Sequence, residues 1–248
     1  LPAIALAAPE DPGTAKVRKE SRQALLEGES IAFDLFVPES QGPFPVIVAA
    51  HGFQRSKANM EGWGRGLAQR GYVVAAPNFP GLFPDHAKNG RIVSALLAEV
   101  VAAGARSGDS LLGLVDGARR GVLGHSAGGL ACLLAASRDP TIDVVVGLDP
   151  VDNAGLALVA APQISVPTTF VLATPAACND NGNATAVHLK LGGPRLALRV
   201  KGATHCDGED PSDGFCGLFC GGAADAKRQL SFRRYAFATL DHVLACDG

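Results

Sequence analysis

The stretch that most constrains this fold is GVLGHSAGGL, residues 121–130. Its apolar beginning is typical of a buried strand and its end of a buried helix, with a sharp turn at Ser126 between them. This strand-turn-helix pattern, GxSxG, is a nucleophile elbow that exposes a serine hydroxyl. The strained backbone requires small residues two positions away, and Gly124 and Gly128 supply them. A Gly/Ser loop without chemistry is the alternative, but the flanking apolar runs favour Ser126 as a nucleophile.

The chain is long and apolar enough to bury one large core. It has 248 residues, of which 47% are hydrophobic and 19% charged, and a single α/β domain suits that size. The net charge is -2 and no basic stripe occurs, so nucleic acids and anionic membranes are not expected partners. No apolar run reaches the roughly 20 residues that a spanning helix needs. We therefore expect a globular monomer with no membrane span.

The beginning of the chain indicates export. Residues 1–29 are expected to form an N-terminal arm that precedes a single domain at 30–248. Within the arm, residues 5–9 (ALAAP) resemble the end of a secretory signal, with small residues at a cleavage site. A disordered apolar arm without this role is the alternative.

Six cysteines also indicate an oxidising compartment, extracellular or periplasmic. Cys206, Cys216, Cys220 and Cys246 lie in the last fifth of the chain, where disulfides would hold loops that little core supports. Many pairings are open to six cysteines, so the connectivity does not follow from the sequence. Cys132 lies on the predicted helix after the elbow and is expected to be a buried free thiol.

Apolar runs and turn residues divide the chain into alternating strands and helices. Besides the strand before the elbow, strands are predicted at 30–37, 44–50, 72–76, 142–148, 168–173 and 196–200. Helices are predicted at 56–70, 91–103, around 110–118, after the elbow and at 225–244. This alternation predicts an α/β fold with a mainly parallel central sheet flanked by helices and no separate lid domain. Ligands bind such sheets at the carboxyl ends of the strands.

A nucleophilic serine needs a base within hydrogen-bond reach and a third group that orients the base. The loop after the last strand folds back over the elbow, and residues 196–205 (LALRVKGATH) deliver His205 to that loop. The other five histidines lie in turn motifs, in predicted helices or in the loop before a helix. His205 is therefore the predicted base.

Two aspartates compete for the role of the acid. Asp149 directly follows a predicted buried strand, where the backbone fixes the direction of its side chain. Asp180 lies several residues beyond the next strand and would have to reach back. Asp149 is preferred and Asp180 is the alternative. The one that is not used would be a turn or helix-capping aspartate.

Acyl transfer also needs donors aimed at the developing oxyanion. The backbone N–H of Ala127 and that of Phe53, in the HGF turn after a buried strand, are the expected donors. For Phe53, the alternative is that the HGF turn only ends the strand and has no catalytic role. Phe53, Trp63, Phe79 and Phe83 are candidates for an apolar substrate groove. For Trp63, packing in the hydrophobic core is an equally good interpretation.

Four motifs in this order, HGF, GHSAGG, LDPV and GATH, resemble the α/β-hydrolase fold. Residues 51–79 (HGFQRSKANMEGWGRGLAQRGYVVAAPNF) are similar to the corresponding part of both chlorophyllases and the cutinase-like polyesterases that include bacterial PET hydrolases. The resemblance spans most of residues 30–245. The resemblance points specifically to ester hydrolysis but says little about which ester is the substrate.

The two groups of relatives imply different acids. LDPVD is similar to the chlorophyllase motif that holds the acid, which favours Asp149, whereas in the polyesterases the acid follows the next strand, which favours Asp180. A disulfide of PET hydrolases implies that Cys178 pairs with Cys206. Two departures stand out: plant chlorophyllases have GHSRGG in place of GHSAGG, and the polyesterase acid loop is shorter than that of this chain.

The resemblance implies a secreted serine carboxylesterase that acts through an acyl-enzyme on small-molecule or polymeric esters, with no cofactor. The expected catalytic residues are Ser126, His205 and Asp149. Two other readings stay open: a non-catalytic binding protein on a hydrolase scaffold, and an amide or lactone hydrolase with the same three residues.

Four acidic residues follow the predicted base, in residues 207–213 (DGEDPSD). Calcium prefers several carboxylate oxygens, so a calcium site is one interpretation of this segment. Zinc held by the nearby cysteines and His205 is less favoured because it would occupy the base. A solvated acidic loop held by Cys206, Cys216 and Cys220 is preferred, and no metal site is predicted.

Overall fold

The computed structural model describes residues 15–245, and these form an eight-stranded sheet. The strands are β1 Val17–Leu26, β2 Glu29–Pro38, β3 Phe44–Ala50, β4 Val73–Pro77, β5 Val115–His125, β6 Val144–Leu148, β7 Thr168–Leu172 and β8 Arg195–Arg199. Their order in the sheet is β1-β2-β4-β3-β5-β6-β7-β8. From β4 to β8 all neighbours are parallel, while β1 and β2 form an antiparallel edge.

Helices cover both faces of this sheet. They are α1 Glu61–Gln69, α2 His86–Ala103, α3 Ala127–Ala136, α4 Leu156–Ala160, α5 Ala184–Lys190, α6 Gly214–Phe219 and α7 Ala226–Leu240. On one face, α2 and α3 bury residues such as Leu96 and Leu130. On the other face, α1 and α7 bury Trp63 and Phe232. The predicted fold class is confirmed, and no element of the described chain forms a separate lid domain.

The central strands were predictable because they are buried along their whole length. Every residue of β3, β4, β6 and β7 is buried, as expected for strands covered by helices on both sides. The predicted helices at 56–70, 91–103 and 225–244 correspond to α1, α2 and α7. None of the described helices combines the length and the apolar character needed to cross a membrane.

The expected N-terminal arm is wrong for the described part of residues 1–29. β1 pairs with β2 along its whole length, with Val17 opposite Pro38 and Leu26 opposite Glu29. Its sequence, VRKESRQALL, is mostly polar because β1 is an edge strand in which only Leu26 is buried and the other residues are exposed or half-buried. The predicted signal remnant at 5–9 lies outside the described residues.

The predicted helix around 110–118 is also wrong, because this segment holds a turn and the first residues of β5. The Asp109 side chain accepts a 3.0 Å hydrogen bond from the backbone N–H of Leu111, which stabilises the turn. Gly113 follows with φ of 75°, a conformation that a right-handed helix does not contain. The chain then enters β5 at Val115 and pairs with β3.

The turn from β5 into α3 depends on two glycines. A side chain at Gly124 would overlap the backbone of Gly128, and one at Gly128 would overlap the carbonyl groups of Ala50 and His51. The end of β5, the start of α3 and the end of β3 therefore meet at a separation that only glycine allows.

Two disulfides join the loops around α6: Cys178 with Cys220, and Cys206 with Cys216. The expected Cys178–Cys206 pair is wrong. Cys216 and Cys220 are four residues apart, so they lie about one helical turn from each other. Cys216 bonds to the loop of Cys206, and Cys220 bonds to the loop of Cys178. The prediction of a buried free thiol at Cys132 is confirmed. The sixth cysteine, at position 246, lies outside the described residues.

We expect Gly128→Ala to lower the free energy of unfolding by about 2 kcal/mol or more, because the new methyl group would overlap the Ala50 carbonyl. The matched control is Gly214→Ala at the start of α6, where a Cβ would meet no atom within 4 Å. There we expect a change of no more than about 0.5 kcal/mol. Urea unfolding followed by circular dichroism measures both values. Equal stabilities of the two variants would contradict this account of the turn.

Candidate active site

The carboxyl ends of the parallel strands bring the predicted site residues to one edge of the sheet. The HGF turn follows β3, Ser126 follows β5, Asp149 follows β6, and His205 lies in the loop after β8. Ser126, Phe53 and His205 line one cleft at this edge. Residues far apart in the sequence therefore meet where ligands bind in such sheets.

Ser126 has the strained backbone that the elbow predicts, with φ of 55° and ψ of -122°. Its N–H donates to Leu148 O at 3.2 Å, which ties the turn to the end of β6. Its carbonyl oxygen accepts from the N–H of Leu130 and from that of Val151, both at 3.2 Å. These bonds hold the serine in a conformation that non-glycine residues rarely adopt.

Asp149 is buried, with 1% of its surface exposed. One carboxylate oxygen accepts a 2.9 Å hydrogen bond from the N–H of Ala173, and the other accepts a 2.9 Å bond from Asn179 Nδ2. The second oxygen also lies 2.7 Å from His205 Nδ1. Both oxygens of this buried carboxylate therefore have hydrogen-bond partners.

The contact with Asp149 orients the imidazole of His205. Because an ionised carboxylate can only accept, the pattern assigns the proton to Nδ1 and leaves Nε2 as an acceptor. Within the described residues, neither Nε2 nor Ser126 Oγ has a hydrogen-bond partner, although both side chains line the same cleft. Such bonds often tighten only when substrate is bound.

Asp180, the alternative acid, lies apart from this contact. Its side chain is exposed and accepts a 2.8 Å hydrogen bond from Asn183 Nδ2. The preceding residue, Asn179, is the one that reaches Asp149. The structure therefore brings Asp149, and not Asp180, to His205.

The two residues that carry the expected oxyanion donors, Phe53 and Ala127, both lie close to the nucleophile. A Cβ added to Gly52 would lie 3.1 Å from Ser126 Cβ, so the HGF turn passes directly beside the serine. Phe53 and Ala127 line one small pocket of about 60 Å³. Among residues 15–245, no hydrogen bond engages the backbone N–H of either residue. Both donors are thus free to meet a ligand oxygen.

The cleft beside Ser126 has a volume of about 300 Å³, at the lower end of small-molecule sites. Phe53 lines it with 45% of its surface exposed, together with Phe215 and Phe219 of α6. Sequence reasoning missed both α6 residues. The signal was the run GFCGLF, in which two aromatic residues flank the cysteine that fixes the helix.

Two other predicted groove residues lie on the loop after β4. Phe79 lines the small pocket beside Ala127 and contacts His51, with ring centroids 5.0 Å apart. Phe83 is 80% exposed and lines neither this pocket nor the cleft. Of the two, Phe79 is therefore in position to touch a ligand, as Phe53 is, whereas Phe83 would need movement of the loop.

The expectation that Trp63 contributes to the groove is corrected. Trp63 is 1% exposed and packs edge-on against Phe237, with ring centroids 5.9 Å apart. Its indole N–H donates to Gly208 O at 3.0 Å. Trp63 therefore supports the loop after His205 from inside the core and does not reach the cleft.

The acidic segment 207–213 is neutralised by arginines. Buried Glu209 accepts two 2.7 Å hydrogen bonds from Arg55, which also contacts Asp213 at 2.9 Å. The other ion pairs of the segment join Asp207 to Arg228 and Asp210 to Arg233. Burial nevertheless raises the pKa of Glu209. The acidic side chains are thus engaged by cations of the protein, which disfavours a calcium site.

Three sulfur atoms, from Cys206, Cys216 and Cys220, lie within 4.8 Å of one another. All three belong to the two disulfides. Zinc binds thiolates, so this cluster offers no ligand for zinc while the disulfides are formed.

His125, between Gly124 and Ser126, supports the loop that carries His205. Its Nε2 donates to the His205 carbonyl oxygen at 2.9 Å. Burial lowers the pKa of His125 well below its usual range, so the ring is neutral. Among the described residues Nδ1 has no hydrogen bond, and Glu209 lies 3.7 Å from it.

His51 fixes the oxyanion turn and the loop after β4. Nδ1 donates to Gly52 O at 2.8 Å, which leaves Nε2 to accept from the N–H of Phe79 at 3.1 Å. Burial lowers the pKa of His51 to about 4. This histidine is therefore structural, and it stays neutral when an exposed histidine would be protonated.

Folding stability should fall as the pH drops from about 6.5 towards 4, because the unfolded chain takes up a proton at His51 that the folded protein excludes. At pH 4 this one group lowers the free energy of unfolding by about 3 kcal/mol. Thermal unfolding of the wild type and of His51→Gln, across this pH range, measures the effect. The variant cannot titrate there and should lose less stability. Parallel curves for the two proteins would contradict the assignment.

Comparison with known proteins identifies the family of this chain. Residues 23–188 match the family described as PET hydrolase-like, which is more than half of the chain and ends before His205. A bis(hydroxyethyl) terephthalate hydrolase of Streptomyces coelicolor is 31% identical over 134 residues, 53% of this chain. The match covers 40% of that relative's length. The chain belongs to the PET hydrolase-like family.

Proposed function

We propose that this protein is a serine ester hydrolase in which Ser126 is the nucleophile, His205 the base and Asp149 the acid. One observation carries the proposal: His205 Nδ1 lies 2.7 Å from Asp149 Oδ2, and the imidazole shares a cleft with the strained Ser126. Membership of the PET hydrolase-like family supports ester chemistry on this site.

The proposed reaction begins when Ser126 Oγ attacks the ester carbonyl carbon and His205 Nε2 takes its proton. Asp149 stabilises the imidazolium, and the backbone N–H groups of Phe53 and Ala127 stabilise the oxyanion. The imidazolium then protonates the leaving alcohol as the acyl-enzyme forms. His205 next takes a proton from water, which attacks the acyl carbon and releases the acid. Neither half-reaction requires a cofactor.

We propose carboxylic esters, small or polymeric, as the substrates. The name of the Streptomyces coelicolor relative makes bis(hydroxyethyl) terephthalate the first compound to test. A chlorophyllase-like ester with a long alcohol is a second candidate, favoured by the acid that directly follows β6. Phe53 and Phe79 are the proposed contacts on the oxyanion side. Phe83 would join them only through movement of its loop.

Export to an extracellular or periplasmic compartment is part of the proposal. Two disulfides support it, since such bonds persist in oxidising environments and are rare in the cytosol. Both lie beside the proposed site, so the folded cleft depends on that environment.

Replacement of the nucleophile should abolish catalysis. We expect Ser126→Ala to lower turnover of p-nitrophenyl acetate by about 10⁴-fold or more, and to abolish stoichiometric labelling by a fluorophosphonate followed by mass spectrometry. Ser231→Ala, on α7, is the control and should behave as the wild type. Unchanged turnover in Ser126→Ala would refute the proposal. A wild-type protein that neither turns over esters nor reacts with the phosphonate would instead support a non-catalytic binding protein.

The acid can be tested with two isosteric variants. Asp149→Asn should lower kcat by about 10³- to 10⁴-fold, because an amide cannot stabilise the imidazolium and favours the wrong tautomer of His205. Asp180→Asn removes a similar charge from an exposed position and should change kcat by less than about threefold. Steady-state kinetics gives both values, with thermal melts to verify folding. A large loss in Asp180→Asn with little loss in Asp149→Asn would reverse the assignment.

A further inference from the structure

We propose that Arg55 and Glu209 are positioning residues for ester hydrolysis, because their ion pair holds the oxyanion turn at a fixed distance from the loop of the base. The oxyanion turn is residues 51–55, which include the N–H of Phe53, and the loop of the base is residues 205–209. The inference rests on the proposed function and adds two residues to those that it requires. Neither residue takes part in the chemical steps; both act through the placement of other groups.

The side-chain pair is the direct polar link between these two segments. Arg55 Nε and Nη2 donate to the two carboxylate oxygens of Glu209, both at 2.7 Å. A bidentate pair of this kind fixes direction as well as distance. Within the described chain, no backbone hydrogen bond joins the oxyanion turn to the loop of the base. The backbone bonds of the next residue, Asp210, run to Asn59 and Gly62, which lie beyond the turn.

The imidazole of His125 lies between the two segments. A Cβ added to Gly52 of the turn would lie 3.2 Å from His125 Nδ1, and one added to Gly208 of the loop would overlap the same ring. Glu209 Oε1 lies 3.7 Å from His125 Nδ1. The ring therefore prevents a closer approach of turn and loop, and the ion pair prevents a wider one.

The oxyanion turn needs such support because its backbone is strained. Gln54, between Phe53 and Arg55, has φ of 53°, in the left-handed region that non-glycine residues seldom adopt. The N–H of Arg55 donates to Gly52 O at 3.3 Å and closes the turn. Strained conformations persist only where the surrounding contacts hold them. The ion pair anchors the chain one residue after the strained position and two residues after the proposed oxyanion donor.

A contribution to stability does not account for the pair. Glu209 is 1% exposed, and burial raises the pKa of its carboxyl, so this position disfavours the charged form. Apolar side chains of similar volume often stabilise a protein as well as a buried ion pair does. Both residues line the cleft that contains Ser126, and Arg55 also lines the small pocket beside Ala127. The pair thus lies where a fixed geometry serves the reaction.

The test is how the effect of Glu209→Gln divides between kcat and KM. A displaced oxyanion turn weakens contacts that form in the transition state and leaves ground-state binding intact. For p-nitrophenyl acetate we expect kcat to fall about tenfold or more, while KM changes by less than about threefold. The inhibition constant of phenylboronic acid, which forms a tetrahedral adduct with a catalytic serine, should rise by a similar factor. A loss confined to KM would overturn the proposal.

Asp210→Asn is the matched control. Asp210 directly follows Glu209 in the chain, but it pairs with Arg233 of α7 and not with the oxyanion turn. Its kcat should stay within about threefold of the wild-type value. An equal loss of kcat in Asp210→Asn and in Glu209→Gln would overturn the proposal, because any charge removed from this part of the chain would then have the same effect.

A double variant separates position from stability. Arg55→Met/Glu209→Met removes both charges at similar side-chain volume, so no unpaired charge is left and the melting temperature should stay near that of the wild type. The bidentate link is nevertheless lost, and we expect kcat to fall about tenfold or more. This variant also decides the test if Glu209→Gln does not fold. A folded double variant with the kcat of the wild type would overturn the proposal.

NMR order parameters separate this inference from ester hydrolysis itself. They are measured without substrate for the backbone amides of residues 52–55 in the wild type, the double variant and Asp210→Asn. We expect lower values, and hence greater mobility of the turn, in the double variant alone. That result in a protein without ester turnover would reject the proposed reaction and keep the positioning pair. Unchanged values in the double variant would reject the positioning pair whatever the turnover.

Discussion

The parallel pairing of β5, β6 and β7 is the constraint on which the site depends. The N–H of Ser126 donates to Leu148 O, and that of Asp149 donates to Val171 O. Each residue is therefore held by a hydrogen bond to the neighbouring strand at the position where its own strand ends. Both then adopt a positive φ, 55° for Ser126 and 44° for Asp149, which costs roughly 1–3 kcal/mol per residue. The sheet supplies the hydrogen bonds that hold these conformations, so the two side chains project from the same edge.

The loops that complete the site are tied to one another through α6. Cys178 adjoins Asn179, which donates to Asp149, and Cys206 adjoins His205. The other half of each disulfide lies on or directly after α6, which also carries two rings of the cleft. The loop of His205 and the helix that lines the cleft are thus joined covalently. The ion pair between buried Glu209 and half-buried Arg55 adds a second link, in which two 2.7 Å hydrogen bonds offset only part of the cost of burying the Glu209 charge.

Features carried by local pattern could be predicted from the sequence, and features set by tertiary contacts could not. The buried strands and the elbow at Ser126 follow from apolar runs and glycine spacing, and the contact between Asp149 and His205 agrees with their order along the chain. β1 was missed because it lies at the edge of the sheet with its polar side chains exposed or half-buried, so it has no apolar signature. Trp63 could not be assigned, since a tryptophan suits a core as well as a groove. Pairing of cysteines and the location of Phe215 depend on where α6 packs, which no local pattern encodes.

The most direct test of the central claim is a crystal structure of the protein after reaction with a phosphonate ester. The account predicts that phosphorus is bonded to Ser126 Oγ and that the phosphonyl oxygen lies within hydrogen-bond distance of the backbone nitrogens of Phe53 and Ala127. His205 Nε2 should face the modified serine while Nδ1 keeps its contact with Asp149. An adduct in which the phosphonyl oxygen points away from both nitrogens, or in which His205 has turned from the serine, would contradict the account.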